Sequence, residues 1–177
     1  WIEDQCEKLT KLHPHTLEET VERSALLHAA HIAYGGDPFE TGNSRPLDFG
    51  HWAAHKLEQL TDFELSHAEA VSIGVALDTV YSWKSGRLDE KSAMRILKVI
   101  NKLQLPTWHA SLEQKCAKGA REVFNGLEEF REHLGGELTV LLLRDIGKGE
   151  DVHSMDNNLL DECIDWLKLD ADISVVR

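Results

Sequence analysis

Three histidines lie close together in the sequence, at spacings that suit a metal site. His51 and His55 are four residues apart in a stretch with helical periodicity, so their imidazoles project from one face of that helix. His67 opens a second helical stretch sixteen residues after His51. Imidazoles from two neighbouring helices are common ligands of Zn²⁺, with a carboxylate or water completing the shell. The spacing therefore predicts a divalent-metal site. The alternative is a chance cluster of surface histidines, because the chain contains ten.

The residues around these histidines favour the metal site over a chance cluster. The first pair is surrounded by apolar residues, namely Phe49, Trp52, Ala53 and Leu57. Glu58 and Glu69 are close enough in sequence to orient the imidazoles. The loop that precedes them, residues 35–46, is rich in Gly and Pro and carries the charged residues Asp37, Glu40 and Arg45. Two metal ligands, an acid/base histidine and an anion-binding arginine suit chemistry on an oxygen-rich or phosphorylated substrate.

The elements that position these residues are predicted from hydrophobic periodicity and from turn and cap residues. The pattern predicts a mainly α chain, a helical bundle that carries one small β-hairpin. We expect helices over residues 2–12, from Thr16 to the loop, from Leu47 onward, and over 67–83, 89–103, 111–134 and 157–168. The segment ELTVLLL and the residues leading to Val152 are expected to pair as strands around a turn at Gly147–Gly149.

The second helix carries a specific expectation about its start and its buried face. Thr16 is expected to be its N-cap, with Glu19 completing a capping box. Its apolar residues are expected to face a core, and they are Val21, Leu26, Leu27 and Ile32.

Composition excludes several classes of function. The net charge of −12 leaves no basic stripe for nucleic acid, and the apolar runs are too short to span a bilayer. Three widely spaced cysteines, Cys6, Cys116 and Cys163, are typical of reduced, intracellular thiols. We therefore expect a cytoplasmic protein. Organelle targeting stays open because the chain begins at Trp1, which suggests a domain from a longer protein.

Other motifs have less specific interpretations. The GxG of residues 147–149 lacks the pattern of a dinucleotide fingerprint and is interpreted as a hairpin turn. Arg131 and His133 precede Gly135-Gly136 and either reach a site or stabilise a helix C-terminus through the macrodipole. The sequence contains no GxSxG, Walker motif or nucleophilic cysteine with a matched histidine.

At the histidine cluster, the chain resembles the C-terminal half of the sugar phosphate cyclases, the family of 3-dehydroquinate synthase. The family pattern is an acidic loop, then R-x-L-[ND]-x-G-H-x-x-x-H-x-x-E, then H-G-E-A-V-x-x-G. This sequence reads DPFE from Asp37, RPLDFGHWAAHKLE from Arg45 and HAEAVSIG from His67. The sixteen-residue gap is also the family's gap between two histidine ligands. The resemblance covers nearly the whole chain and implies a dehydroquinate synthase-like helical bundle over residues 1–177.

The resemblance implies a role for each matching residue. His51 and His67 would be metal ligands, usually of Zn²⁺ and sometimes of Co²⁺. His55 would contact substrate for proton transfer or phosphate binding, and Glu40, Arg45 and Asp48 would line the substrate pocket. Arg131 and His133 fall near a substrate-binding lysine pair of the family. The third metal ligand and most of the NAD⁺ site would belong to a preceding N-terminal domain that this chain lacks, so the isolated domain is expected to be inactive. A homodimer is expected by analogy.

Departures from the pattern bear on the substrate. Asp48 replaces the asparagine of dehydroquinate synthases, and a negative charge there would repel a substrate carboxylate by an amount on the order of a few kcal/mol. A lysine expected on an earlier helix falls near Ala30 or His31, and Ala68 replaces a glycine. Asp48 resembles the branches that cyclise neutral sugar phosphates, although those generally lack a histidine at position 55 and read HGH from position 67. We therefore interpret the chain as a divergent branch.

The leading hypothesis is the metal-binding half of an NAD-dependent sugar phosphate cyclase, a phosphate-eliminating lyase. The alternatives are a true 3-dehydroquinate synthase, an oxidoreductase like the iron-containing alcohol dehydrogenases, and a non-catalytic metal-binding scaffold. Direct metal ligation by His55 would favour the dehydrogenase alternative.

Overall fold

The computed structural model describes residues 1–34, 46–133 and 136–175, without the side chains of residues 34, 46, 133, 174 and 175. The described residues form seven α-helices, short 3₁₀ turns and one hairpin of two antiparallel strands. The helices are α1 (Ile2–Thr10), α2 (Pro14–Tyr34), α3 (His51–Leu60), α4 (His67–Lys84), α5 (Glu90–Lys102), α6 (Asn125–His133) and α7 (Asn157–Val175). The strands are β1 (Val140–Asp145) and β2 (Lys148–Val152). The prediction of a mainly α bundle with one small hairpin is confirmed.

Helix α4 is the central element of the core. Eleven of its residues between Ala70 and Ser82 are buried, and they lie around its whole circumference, as expected of a helix surrounded by other elements. It begins with a capping box, because the Ser66 hydroxyl accepts from the Glu69 N–H and the Glu69 carboxylate accepts from the Ser66 N–H. The largest fully buried side chains around it include Trp52, Leu57, Ile73, Leu77, Leu112, Leu142, Leu160, Ile164 and Leu167.

Helix α3 packs on α4 at a backbone-to-backbone contact. Gly50 precedes α3 with a φ of +82°, and its carbonyl oxygen lies against Gly74 of α4. A Cβ at Gly74 would lie 1.9 Å from that oxygen, and one at Gly50 would lie 2.4 Å from the Val75 nitrogen. Glycine is therefore required on both sides of this contact, since any side chain would force the two helices apart.

The opposite side of α3 is held by α6. Lys56 is nearly buried, with 10% of its side chain exposed, and its Nζ lies 2.6 Å from Glu129 Oε1. Gly126 of α6 approaches the Trp52 carbonyl closely, because an added Cβ there would lie 2.7 Å from that oxygen. Helix α3 is therefore fixed between α4 and α6.

The hairpin and α7 close the other side of α4. Val140 pairs with Val152, and the Leu143 N–H donates to Ser82 Oγ at 3.0 Å. The Asp156 N–H, just before α7, donates to the Tyr81 hydroxyl at 2.8 Å. The predicted strands and the predicted start of the last helix are confirmed, although that helix runs beyond residue 168.

Three predictions about local structure are wrong. Helix α2 begins at Pro14, and not after Thr16, because proline is pre-organised for the first turn of a helix. Its apolar residues do not face the core: Val21, Leu26, Leu27 and Ile32 are all exposed. Residues 111–134 do not form one helix. Two 3₁₀ turns and a Lys115–Arg121 bridge around Gly119, at φ +86°, precede α6.

Two smaller findings concern membranes and cysteines. Among the described residues, no helix is both long enough and apolar enough to cross a bilayer. Cys6, Cys116 and Cys163 are all free thiols.

Candidate metal and substrate site

The three histidines singled out from the sequence converge at the packed ends of two helices. His51 and His55 lie on the first turns of α3, and His67 is the first residue of α4. The ring centroids are 5.6 Å apart for His51 and His55, 5.5 Å for His51 and His67, and 6.0 Å for His55 and His67. The three imidazoles thus form one cluster.

Oxygen acceptors engage the Nδ1 atoms of two of these imidazoles. His67 Nδ1 lies 3.2 Å from Glu58 Oε2, and His51 Nδ1 lies 3.3 Å from the Phe49 carbonyl oxygen. An Nδ1–H that donates to such an acceptor fixes the tautomer and leaves the Nε2 lone pair available for a ligand. The Glu58 side chain is only 16% exposed, whereas that of His67 is 56% exposed. The contact therefore joins a largely buried carboxylate to an accessible imidazole.

A second grouping within the described residues also has the geometry of a metal site. One ligand atom each of His55, Glu58 and His67 lies within 4.8 Å of the other two. This set shares His67 with the predicted pair but replaces His51 by His55 and Glu58. The assignment of His51 and His67 as ligands therefore stays a prediction, beside a specific alternative. The first set offers two imidazole nitrogens, and the second offers two imidazole nitrogens and a carboxylate. These are donors that Zn²⁺ takes in proteins, so the residues present fit such an ion.

The sequence reasoning missed a buried carboxylate that supports this site. Asp78, in the middle of α4, is fully buried and accepts hydrogen bonds from the Gly50 N–H at 2.9 Å and the Trp52 indole N–H at 2.8 Å. Burial raises the pKa of Asp78 to about 7, against the lowering effect of these two hydrogen bonds. The available signal was a charged residue in the middle of a helix, between apolar positions on both sides.

Asp48 lies in the 3₁₀ turn Pro46–Asp48, next to the hairpin. It is close enough to Asp151 of β2 for its charge to raise the pKa of that carboxyl, an effect that adds to the larger one of desolvation and opposes the effect of His153. Asp48 and Asp151 therefore lie in one region, together with His153.

The structure describes only some of the remaining residues that were predicted to contact substrate. Glu40 and Arg45 lie outside the described residues, and so does the side chain of His133. Arg131 is at the end of α6, where it pairs with Glu128 and its Nη1 donates to the Gly136 carbonyl at 3.0 Å. These contacts support the helix-end interpretation of Arg131, and its contact with substrate stays a prediction.

Comparison with known families assigns most of the chain to one of them. Residues 1–123 match the family described as 3-dehydroquinate synthase C-terminal. This match covers more than half of the chain, including all three histidines, and the chain therefore belongs to that family.

Individual relatives are sugar phosphate cyclases of two kinds. The chain is 39% identical over 98 residues to a 2-epi-5-epi-valiolone synthase of Streptomyces albus, covering 55% of this chain and 22% of the relative. It is 36% identical over 118 residues to a 3-dehydroquinate synthase of Campylobacter curvus, covering 66% and 32%. A solved structure of ValA, a 2-epi-5-epi-valiolone synthase from Streptomyces hygroscopicus subsp. jinggangensis with NAD⁺ and Zn²⁺ bound, superposes with a TM-score of 0.73. It is 26% identical, and the alignment covers 93% of this chain and 46% of ValA.

These coverages show that the chain spans less than half the length of each of these relatives. It is a 3-dehydroquinate synthase-like C-terminal domain whose relatives are enzymes.

Proposed function

We propose that this chain is the metal- and substrate-binding half of an NAD-dependent sugar phosphate cyclase. The observation that carries the proposal is the convergence of His51, His55 and His67, with the Nδ1 atoms of His51 and His67 next to oxygen acceptors. The family membership and the NAD⁺ and Zn²⁺ bound to ValA support it. The other half of the protein would supply the NAD⁺ site and a further metal ligand.

In this proposal each residue has a separate task. His51 and His67 hold a divalent ion, Zn²⁺ or Co²⁺, and Glu58 keeps the His67 imidazole in the orientation that presents Nε2. His55 lies beside the ion and contacts substrate, where it can move a proton or bind phosphate. The ion, when bound, polarises substrate oxygens and stabilises the negative charge that develops during phosphate elimination and ring closure. Glu40 and Arg45, which lie outside the described residues, are assigned contacts with the substrate from the family resemblance alone.

We further propose that the substrate is a neutral sugar phosphate. Asp48, which lies just before α3, and Asp151 of β2 place two carboxylates in one region. A substrate carboxylate brought there would be repelled, whereas sugar hydroxyls could donate hydrogen bonds to the same oxygens. The similarity to 2-epi-5-epi-valiolone synthases supports this choice, while the similarity to 3-dehydroquinate synthases keeps the acidic substrate as the competing one.

The test uses the full-length protein, NAD⁺, and Zn²⁺ or Co²⁺. Phosphate release is measured with sedoheptulose 7-phosphate and glucose 6-phosphate as neutral substrates and with the acidic heptulosonate 7-phosphate. We expect release from a neutral substrate alone. Release from the heptulosonate would identify a 3-dehydroquinate synthase and contradict the argument from Asp48. No release from any of the three, with metal bound, would favour a scaffold.

The ligand assignment is tested with separate alanine variants of His51, His55 and His67. We expect His51→Ala and His67→Ala to lose both bound metal and turnover, and His55→Ala to keep the metal but lose turnover. His15→Ala, an exposed histidine at the start of α2, is the matched control. Loss of metal in His55→Ala with retention in His51→Ala would instead establish the set of His55, Glu58 and His67, and would favour the dehydrogenase alternative.

A further inference from the structure

A single buried carboxylate connects the two helices that carry the histidines. Asp78 belongs to α4, eleven residues after His67, and both of its oxygens are used. Oδ2 accepts from the Gly50 N–H at 2.9 Å and Oδ1 accepts from the Trp52 indole N–H at 2.8 Å. Gly50 and Trp52 are the residues immediately before and after His51. The carboxylate therefore binds the chain on both sides of a predicted metal ligand.

Burying the Asp78 carboxylate destabilises the core, but its hydrogen bonds give it a structural role. An ionisable group without solvent contact in an apolar core is destabilising unless hydrogen bonds compensate it. A hydrophobic residue at position 78 would pack without that cost but would accept no hydrogen bond from Gly50 or Trp52. Gly50 itself has no side chain, and its left-handed backbone is pressed against Gly74 and Val75. The first turn of α3 therefore takes its polar anchor from α4.

We propose that Asp78 is a positioning residue of the metal site, which fixes the His51 imidazole relative to that of His67 by anchoring Gly50 and Trp52 to α4. The proposal rests on the proposed function in one respect, namely that His51 is a ligand. Because α4 carries both His67 and Asp78, one rigid helix then determines the separation of the two imidazoles. Losing the anchor would leave each ligand intact but allow the first turn of α3 to shift or rotate.

The chain offers a pair of variants that separates this role from simple core packing. Asp78→Asn keeps the size of the side chain, but its NH₂ group must face either the Gly50 N–H or the Trp52 indole N–H, so two donors meet. Trp52→Phe removes the indole donor. In the double variant, the amide oxygen can accept from Gly50 while the NH₂ group faces no donor. Positioning therefore predicts that Trp52→Phe partly rescues Asp78→Asn, whereas two independent losses of packing would add.

The measurement is titration of the metal-free, full-length protein with Co²⁺, whose visible absorption reports the coordination geometry independently of turnover. Thermal melting is followed in parallel. We expect Asp78→Asn, folded at the temperature of the titration, to bind Co²⁺ about 10-fold more weakly with an altered spectrum. The double variant should recover part of both losses. Unchanged affinity and spectrum in a folded Asp78→Asn would overturn the proposal, and so would a double variant weaker than either single variant.

Further variants keep the outcome decisive. If Asp78→Asn does not fold, Trp52→Phe alone decides, because it removes one of the two hydrogen bonds and should weaken Co²⁺ binding by about 3-fold; an unchanged affinity would overturn the proposal. His51→Ala identifies failure of the proposed function. A loss of Co²⁺ binding in His51→Ala, with none in Asp78→Asn, overturns only the role of Asp78. No loss in His51→Ala overturns both.

Discussion

Helices α2 and α4 have apolar residues at helical spacing in the sequence, yet their surroundings in the fold are opposite. Helix α4 is enclosed by α3, α5, α7 and the hairpin, and its apolar residues are buried. Helix α2 packs on α1, and its residues Val21, Leu26 and Leu27 are each more than 60% exposed. Beside it, a cavity of about 670 Å³ opens between α1, α2, α4 and α5.

This difference shows what apolar periodicity predicts and what it does not. It identifies side chains that share a face of a helix, but not the element that covers that face. For α4 the covering elements are all within this chain. For α2 they are not within the described residues, and the chain spans less than half the length of its relatives. The three histidines project from α3 and from the start of α4, the two helices that pack on each other in this enclosed region.

The first prediction tests how closely the enclosed region is packed. Gly74→Ala would place a Cβ 1.9 Å from the Gly50 carbonyl oxygen, so α3 and α4 must separate. Alanine is otherwise the better helix former by about 1 kcal/mol, so without this clash the variant would be stabilised. We expect it instead to lower the free energy of unfolding by about 3 kcal/mol or more, measured by urea denaturation.

The matched control for that substitution is Gly86→Ala. Gly86 also has a positive φ, +78°, but nothing lies within 4 Å of an added Cβ. Gly86→Ala should therefore lower the free energy of unfolding only by the strain of an alanine with left-handed backbone, about 1–2 kcal/mol. Equal losses in the two variants would contradict the close contact between α3 and α4.

The second prediction uses the titration of Asp78 in the enclosed region. The pKa of Asp78 is about 7 in the fold and 3.8 for the free group, so the folded state holds the proton more strongly. Its contribution to stability is therefore fully present below about pH 4 and is lost as the pH rises through 7. The neighbouring Cys163 thiol of α7 does not titrate in this range, because burial raises its pKa to about 12.

We expect the free energy of unfolding of metal-free protein to fall by an amount on the order of a few kcal/mol between pH 4 and 8 because of this one group. Asp78→Asn should lack the part of the slope that this group contributes. The free energy of unfolding is measured by denaturant melts at each pH. If its pH profile is parallel for the two proteins, folding does not raise the pKa of Asp78, and the prediction is wrong.

Local structure could be predicted from the sequence wherever the local signals agreed with the fold. Asp89 caps α5 and Gly86 ends α4, as their residue types predict, and the apolar segment ELTVLLL contains the first strand of the hairpin. The convergence of His51, His55 and His67 was predictable because spacing on α3 is local and α4 begins at His67.

What could not be predicted depends on tertiary contacts or on competing local signals. The hydrogen bonds of Asp78 join residues 26 and 28 positions apart, and periodicity contains no information about such pairs. Residues 115–121 form a bridged turn around Gly119, which interrupts a pattern that otherwise reads as helical. The exposure of α2 depends on what lies against it, which is a property of its neighbours and not of its own residues.

The last and smallest predicted effect belongs to α2. Leu27 is 73% exposed, so Leu27→Ala in the 177-residue chain should change the free energy of unfolding by less than about 0.5 kcal/mol. Leu77→Ala, at a fully buried position of α4, should lower the free energy of unfolding by about 2–5 kcal/mol.

The same two variants are then measured in the full-length protein, where the comparison between α2 and α4 becomes sharper. If the proposed NAD-binding half covers α2, the cost at Leu27 should rise by about 1 kcal/mol or more while that at Leu77 stays the same, since burial adds roughly 25 cal/mol per Å² of apolar surface. A cost at Leu27 that is small in both lengths of chain would show that α2 remains uncovered in the longer protein, and a large cost in the 177-residue chain would show that α2 is already packed there.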